Sequence, residues 1–312
     1  MAFGEEARIC LISVLLGLSV LILPDIGTFD INFVSYFIFY AKYAFAIVII
    51  NGITSYVYKD CAYQIALRSS MLGVAMGLGT ILTFSDSSLR LFGWYLAFLS
   101  FFHWSEYFTM AVVNRPHLLL ESFLLDHSKE YHMAAAASVA EFLVEWYLFP
   151  CCGFESNSYL FSAQLVKNAF SVKPRFHIHD LKLPSWISVI GLMMVVGGEI
   201  LRKGAMITAK TNFNHYVQHV KHDGHQLVTC GVYRWMRHPS YVGWFYWSIG
   251  TQVMLCNPIC LVGYCYASWS FFKQRIEHEE MTLLSFFGDD YVAYQDCVGT
   301  GIPFINGYRV AL

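Results

Sequence analysis

Charge is scarce in this 312-residue sequence: Asp, Glu, Lys and Arg together supply 13% of it, against 56% hydrophobic residues. Soluble domains are about a quarter charged and a little under half apolar. The deficit leaves too little polar surface to cover a water-soluble fold, and it points to an integral membrane protein. The net charge of −2 offers no electrostatic grip on nucleic acid, so no nucleic-acid partner is expected. A glycine-rich strand-to-helix fingerprint and a P-loop are both missing, so any nucleotide-like cofactor must be held in another way. The nine cysteines form no C-x-x-C pair, and several stand inside apolar runs. They read as small buried hydrophobes, not as a disulfide or zinc framework. There is also no adjacent His-His pair of the sort that membrane di-iron oxygenases cluster.

What is present is apolar and aromatic. Aromatics reach 17%, which suits long stretches in lipid and at its interfaces. A bilayer-spanning helix needs about 20 mostly apolar residues, and runs that meet or approach this cover 9–23, 33–50, 65–84, 89–113, 133–149, 184–201, 241–256 and 257–272. The first is read as a retained helix, since no A-x-A-like cleavage site follows it. The last two are one apolar block broken by Asn257-Pro258, and proline inside a helix predicts a tight helical hairpin there. The expected fold class is all-α: a polytopic transmembrane bundle of about eight membrane helices.

Eight crossings place both ends on one side, with Lys59, Arg115, Arg202, Lys203, Lys210, Arg237 and Arg275 facing the cytosol. Lys167, Lys173, Arg175 and Lys182 resist this count, and the amphipathic stretch 157–171 leaves the local topology open. Gly73 and Gly77, in GVAMG, are spaced for close helix–helix approach. No linker divides the chain. Residues 1–204 read as amino-terminal membrane helices and 205–312 as a carboxyl-terminal catalytic region containing the hairpin, the two forming one integral unit.

Polar residues gather after Leu201. His215, His219, His222 and His225 recur three or four residues apart, which suits either a metal site or a polar interfacial helix ending in a turn at Asp223-Gly224. No metal is expected. Arg237-His238-Pro239-Ser240-Tyr241 stands at a helix start, with proline in the first turn and an arginine at headgroup level. Free N–H groups at such a start favour an anionic ligand group. Beyond the hairpin, Arg275 and Glu279 sit one helical turn apart, at the depth where a lipid-anchored carboxylate would emerge; a plain (i, i+4) ion pair is the bland alternative. His103 and Glu106, in HWSEY, are ionisable groups inside an apolar run. They suit either an active-site role or an interhelical network, as do Glu141, Glu145 and Glu199.

The ordered set RHPSYVGW, an apolar hairpin with Asn-Pro, RIEHEE, FFGDDY and IPFI resembles the isoprenylcysteine carboxyl methyltransferase family over about residues 205–308. Upstream the resemblance is confined to hydropathy and to strings such as HWSEY and SFLLDHSKEY. It implies an S-adenosylmethionine-dependent enzyme of the endoplasmic reticulum that methylates the carboxylate of farnesylated or geranylgeranylated C-terminal cysteines. Membrane lipids would surround it. It implies a cytosol-facing, carboxyl-terminal cofactor pocket with contacts from Gln218, His225, Gln226, Leu227, Val228, Tyr233, His238, Pro239, Ser240, Tyr241 and Glu279, and Arg275 at the substrate carboxylate. Three other classes remain as alternatives. A phospholipid N-methyltransferase gains nothing from an arginine facing an amine. An NADPH-dependent sterol reductase of related architecture needs a nicotinamide site. A channel or transporter spreads polar residues along several helices.

Overall fold

The computed structural model describes residues 3–23, 33–85, 88–126, 128–148 and 186–309. The stretch 157–171 and the basic residues between Lys167 and Lys182 lie outside the described residues. Those described form helices and connecting turns with no strand among them. In chain order the helices are α1 (Glu5–Leu18), α2 (Phe33–Val57), α3 (Asp60–Phe84), α4 (Arg90–Val113), α5 (Lys129–Leu148), α6 (Trp186–Ala209), α7 (Pro239–Leu255), α8 (Pro258–Phe287) and α9 (Asp289–Cys297). The first eight coincide with the eight apolar runs. By length, hydropathy and low charge together, Asp60–Phe84 qualifies as a bilayer-crossing helix among the described residues, and Ala41–Val57 is a shorter apolar stretch.

Large apolar side chains that a soluble fold would bury stand outward all round the bundle. Ile22, Phe84, Trp186, Ile259, Val262 and Tyr266 are each more than 70% exposed, and an exposed apolar surface of this extent belongs against lipid or another apolar partner. Small residues hold the helices together from within. A Cβ on Gly73 would stand 2.3 Å from the Val14 carbonyl oxygen, so α1 and α3 touch backbone to backbone, the close approach that GVAMG predicts. In the same way Gly198 of α6 and Gly243 of α7 each present the other's carbonyl to the space a Cβ would take, at 2.5 and 2.6 Å.

The hairpin turns at Asn257-Pro258. Cys256 adopts the left-handed conformation (φ 57°), and Pro258 opens α8 where its missing N–H costs no hydrogen bond. The arms are unequal: α7 has 17 residues and α8 has 30. At 1.5 Å per residue α8 runs about 45 Å, longer than the ~30 Å hydrocarbon core. Its apolar part ends near Phe272, and Arg275 through Phe287 project beyond it. The stretch that a polar interfacial helix was expected to occupy is not helical. After Asn212 the chain runs irregularly to a turn at Asp223-Gly224, where Gly224 has φ +88°. Histidine-rich polar sequence of this kind has no apolar stripe to hold a helix against the bundle.

Candidate active site

Two polar clusters meet at the amino-terminal end of α7. The first clasps the carboxyl-terminal segment to the hairpin. Glu280 is wholly buried. Its Oε1 accepts from Arg237 Nε (2.8 Å) and Tyr291 Oη (3.1 Å) and faces His238 Nε2 at 3.0 Å. Its Oε2 accepts from Gln295 Nε2 (3.1 Å) and the Tyr308 backbone N–H (2.8 Å). Burial alone would raise this carboxyl, but hydrogen bonds and charge from His238 and Arg237 outweigh it and hold the group at about 2. The sequence offered Arg237 as an arginine at headgroup level, and the structure ties its side chain to protein groups. It is buried, and its remaining N–H groups donate to the carbonyls of Gln295, Val298 and Asn306. A salt bridge 43 residues long in sequence outcompetes the interface.

The second cluster is built on α4 and α6. Arg202, expected at the cytosolic surface, is instead 2% exposed, with Nε and Nη2 forked onto Glu106 at 2.6 and 2.7 Å. Glu106 also meets Lys203 Nζ and His215 Nε2 (2.8 Å). Sequence reasoning raised Glu106 and overlooked its partner. The signal was there in principle, since a carboxylate inside an apolar run must find a cation, and the adjacent pair Arg202-Lys203 ends another such run.

Between the clusters lie the residues that the sequence singled out. His238 caps α7 and Pro239 occupies its first turn. The His238 and Tyr241 rings stack at 5.6 Å with 7° between planes. Arg275 Nε donates to Tyr241 Oη (2.9 Å) and Nη2 to the His215 carbonyl. The plain Arg275–Glu279 ion pair, the bland alternative from the sequence, does not form. No carboxylate stands within 4.0 Å of Arg275 among the described residues, and its Nη1 has no partner there. Glu279 points elsewhere: its Oε2 is shielded from water, has no hydrogen-bond partner, and sees only His238 Nδ1 at 3.5 Å. Burial would raise this carboxyl as well, yet the His238 imidazole beside it leaves it lowered. His238 is itself raised, because Glu279 and Glu280 overcome the effect of burial.

His225 is a third unfinished group. Its Nδ1 is buried without a partner, the ring lies between Phe286 and Phe287, and burial pushes the imidazole down. Val228 and Tyr233 pack with Met206 and Phe213, and Leu227 is half-buried beside them in sequence. Tyr233 is raised, first by burial and then by the charge of Glu279. Gln218 and Gln226 are not drawn into this set: Gln218 Nε2 donates to the Tyr216 carbonyl, and the Gln226 side chain is exposed with its backbone N–H on Asn212. The histidine series is dispersed, with His215 on Glu106 and His219 against His278 (ring centroids 5.2 Å). No group of three potential ligands converges among the described residues.

Comparison with known proteins decides the family. The chain is 46% identical to the Protein-S-isoprenylcysteine O-methyltransferase of Xenopus laevis, over 98% of this chain and 97% of that protein. It is 47% identical to the protein of the same name from Homo sapiens, over 99% and 96%. The chain belongs to the isoprenylcysteine carboxyl methyltransferase family. The family model described by that name matches residues 189–285, which span α6, the polar loop and most of the hairpin. A solved structure, described as that of the eukaryotic intramembrane Ras methyltransferase of this family, superimposes with a TM-score of 0.83 at 38% identity. The match covers 98% of this chain and 100% of that one. The family likeness thus runs through the upstream helices, beyond the 205–308 stretch on which the motifs rest.

The residues present fit a cationic, hydrogen-bonding cofactor. Glu279 Oε2 and His225 Nδ1 are buried polar atoms without hydrogen-bond partners, and such atoms are costly to leave unsatisfied.

Proposed function

We propose that this chain, an integral membrane enzyme, methylates the carboxylate of a C-terminal prenylcysteine, forming a methyl ester and S-adenosylhomocysteine. The observation that carries the reading is the complementary pair of unfinished charges around Tyr241. Arg275 has a guanidinium N–H free and no acidic partner, and Glu279 has a shielded carboxylate oxygen free. One suits an anionic acceptor and the other a cationic donor.

S-adenosylmethionine, when bound, supplies the electrophilic methyl group. Glu279, His225, Leu227, Val228, Tyr233 and His238 through Tyr241 would hold it, and Gln218 and Gln226, which stand outside this set, are assigned to it by the family resemblance alone. A prenylcysteine α-carboxylate has a reference pKa of about 3.5 and is already ionised at neutral pH. The enzyme needs no general base, and its task is to orient an oxygen in a site with little water. Arg275 does this with a planar, permanently charged fork, itself steadied by Tyr241 and His215. A phospholipid amine would gain nothing from that arginine.

The same reading accounts for the bundle. A farnesyl chain gains about 0.8 kcal/mol per CH₂ from the bilayer, so an acceptor that enters sideways between helices never exposes it to water. The reading places eight crossings in the endoplasmic reticulum membrane, both ends in the cytosol, and the 205–312 region as the catalytic part opening to the cytosolic cofactor. Methyl transfer from radiolabelled S-adenosylmethionine to N-acetyl-S-farnesyl-cysteine tests it. Base-labile label is expected with the purified protein, and at least a hundredfold less with Arg275→Ala. Full activity in that variant refutes the assignment of Arg275, and no transfer by the unaltered enzyme refutes the function.

A further inference from the structure

We propose that Glu106, deep in α4, is a positioning residue that sets the acceptor-binding arginine and the cofactor-binding turn relative to one another. The proposal rests on the methyl-transfer reading above.

Glu106 has no solvent exposure and carries two arms. Through the first, its bidentate grip on Arg202 leaves Arg202 Nη1 to donate to Ser240 Oγ (2.8 Å) and to the Ser240 carbonyl (3.3 Å), in the first turn of α7. Through the second, it holds His215 Nε2 at 2.8 Å, and the carbonyl of that same residue accepts from Arg275 Nη2. One carboxylate therefore reaches both halves of the site at one remove from each.

Arg202 is not itself a second clamp for the acceptor. Its Nε and Nη2 are committed to Glu106, its Nη1 to Ser240, and its face is covered by Trp244 at 4.6 Å and Phe102 at 5.7 Å. The charges also close. Glu106 and Glu199 are matched by Arg202 and Lys203, with Lys203 Nζ 3.3 Å from Glu199 and Ser105 Oγ donating to Glu199 at 2.6 Å. Burial, together with the nearby cations, holds His215 below its ordinary value against the pull of Glu106, so the imidazole adds no charge. A cluster whose charges balance has no net charge to offer a ligand, although the buried Glu199 Oε2 has no hydrogen-bond partner. What it offers is fixed geometry, and a misplacement of about 1 Å between reacting groups costs on the order of 10²-fold in rate.

The experiment compares purified wild type with Glu106→Gln and His215→Ala, measuring kcat, the KM of each substrate, calorimetric affinity for S-adenosylhomocysteine, and Tm. Glu106→Gln is expected to lower kcat by roughly 100-fold while both KM values and the S-adenosylhomocysteine affinity stay within about threefold. Glu106→Asp, which keeps the charge, is expected to recover part of that loss. His215→Ala cuts only the acceptor arm and is expected to lower kcat with cofactor affinity unchanged. It also decides the matter if Glu106→Gln does not fold. A merely structural network predicts the opposite pattern: lower Tm, both KM values raised, and kcat retained in the folded fraction. That pattern, or an unchanged kcat in His215→Ala, overturns the proposal. Absence of transfer by the wild type would instead overturn the methyl-transfer reading.

Discussion

Removing the negative charge of Glu280 while keeping its shape, as in Glu280→Gln, isolates the clasp that ties the carboxyl-terminal segment to the hairpin. The carboxylate takes five polar contacts, from Arg237, His238, Tyr291, Gln295 and the Tyr308 N–H. An amide offers one acceptor oxygen, and its NH₂ group must face donors on the other side. Arg237 would then be a buried cation with only carbonyls around it. Breaking a buried pair from one side costs about 3–5 kcal/mol. The pKa leads to a similar figure: holding the carboxyl at about 2 in place of 4.5 corresponds to about 3 kcal/mol of linked stability. For a chain of this size that is about 5 °C in Tm.

The dependence on pH follows from the two titrating partners. The Glu280 contribution is complete above 4.5 and is lost as pH falls toward 2. His238 is raised, so its contribution is complete below 6.5 and is lost as pH climbs through its folded value. The gap in Tm between wild type and Glu280→Gln is therefore widest between about pH 4.5 and 6.5 and narrows on both sides. Thermal melts of the detergent-solubilised proteins, followed by size-exclusion fluorescence, measure it. A gap under about 3 °C at pH 6, or one that widens above pH 7, refutes the reasoning.

Two further outcomes follow from the same geometry. Glu279→Gln, which alters a carboxylate oxygen without a hydrogen-bond partner, is expected to raise the cofactor KM about tenfold or more with Tm nearly unchanged, as steady-state kinetics and melts on one preparation would show. Glu141 of α5 accepts from the first free N–H groups of α8, at Ile259 (2.7 Å) and Cys260 (2.6 Å), in place of a cap that Asn257 does not supply. Glu141→Ala is expected to cost about 1–2 kcal/mol, read as a lower Tm with kcat preserved; an unchanged Tm removes the cap from the account.

The helices were legible because apolar runs and their punctuation are local properties. Asn257-Pro258 marks the hairpin turn in sequence and in space, and Gly73 marks a contact with α1. The roles of charged residues were not, since a salt bridge has no local spelling. Arg202 and Lys210 look alike in a count of cytosolic cations, and only the fold brings Glu106, 96 residues from Arg202, to one of them. Arg237 and Arg275 pose the same difficulty. Each stands by an edge of the hairpin, yet the first is consumed by Glu280 and backbone carbonyls. The polar loop misled for a related reason. Histidines spaced at helical intervals suggest a helix, but no apolar face accompanies them, and the rings of His215, His219 and His225 each find a different partner.

The adjacent carboxylates of the EHEE string show what the fold adds to the sequence. Consecutive residues of a helix point about 100° apart, so Glu279 and Glu280 cannot share an environment. Glu280 faces the carboxyl-terminal segment and every lone pair direction is answered; Gly307, with φ +79°, leaves it room, since a Cβ there would stand 1.9 Å from Oε2. Glu279 faces Tyr233, His238 and Tyr241, and one of its oxygens is answered by nothing closer than 3.5 Å. A buried acceptor without a donor costs about 1–3 kcal/mol, and the half-buried Arg275 stands one turn away with no carboxylate to balance its charge. Two such defects one turn apart would destabilise a helix that served only to pack. On the proposed reading, held in place by a clasp that is complete and a cluster that is neutral, they are the part of the fold that a cationic donor and an anionic acceptor together would finish.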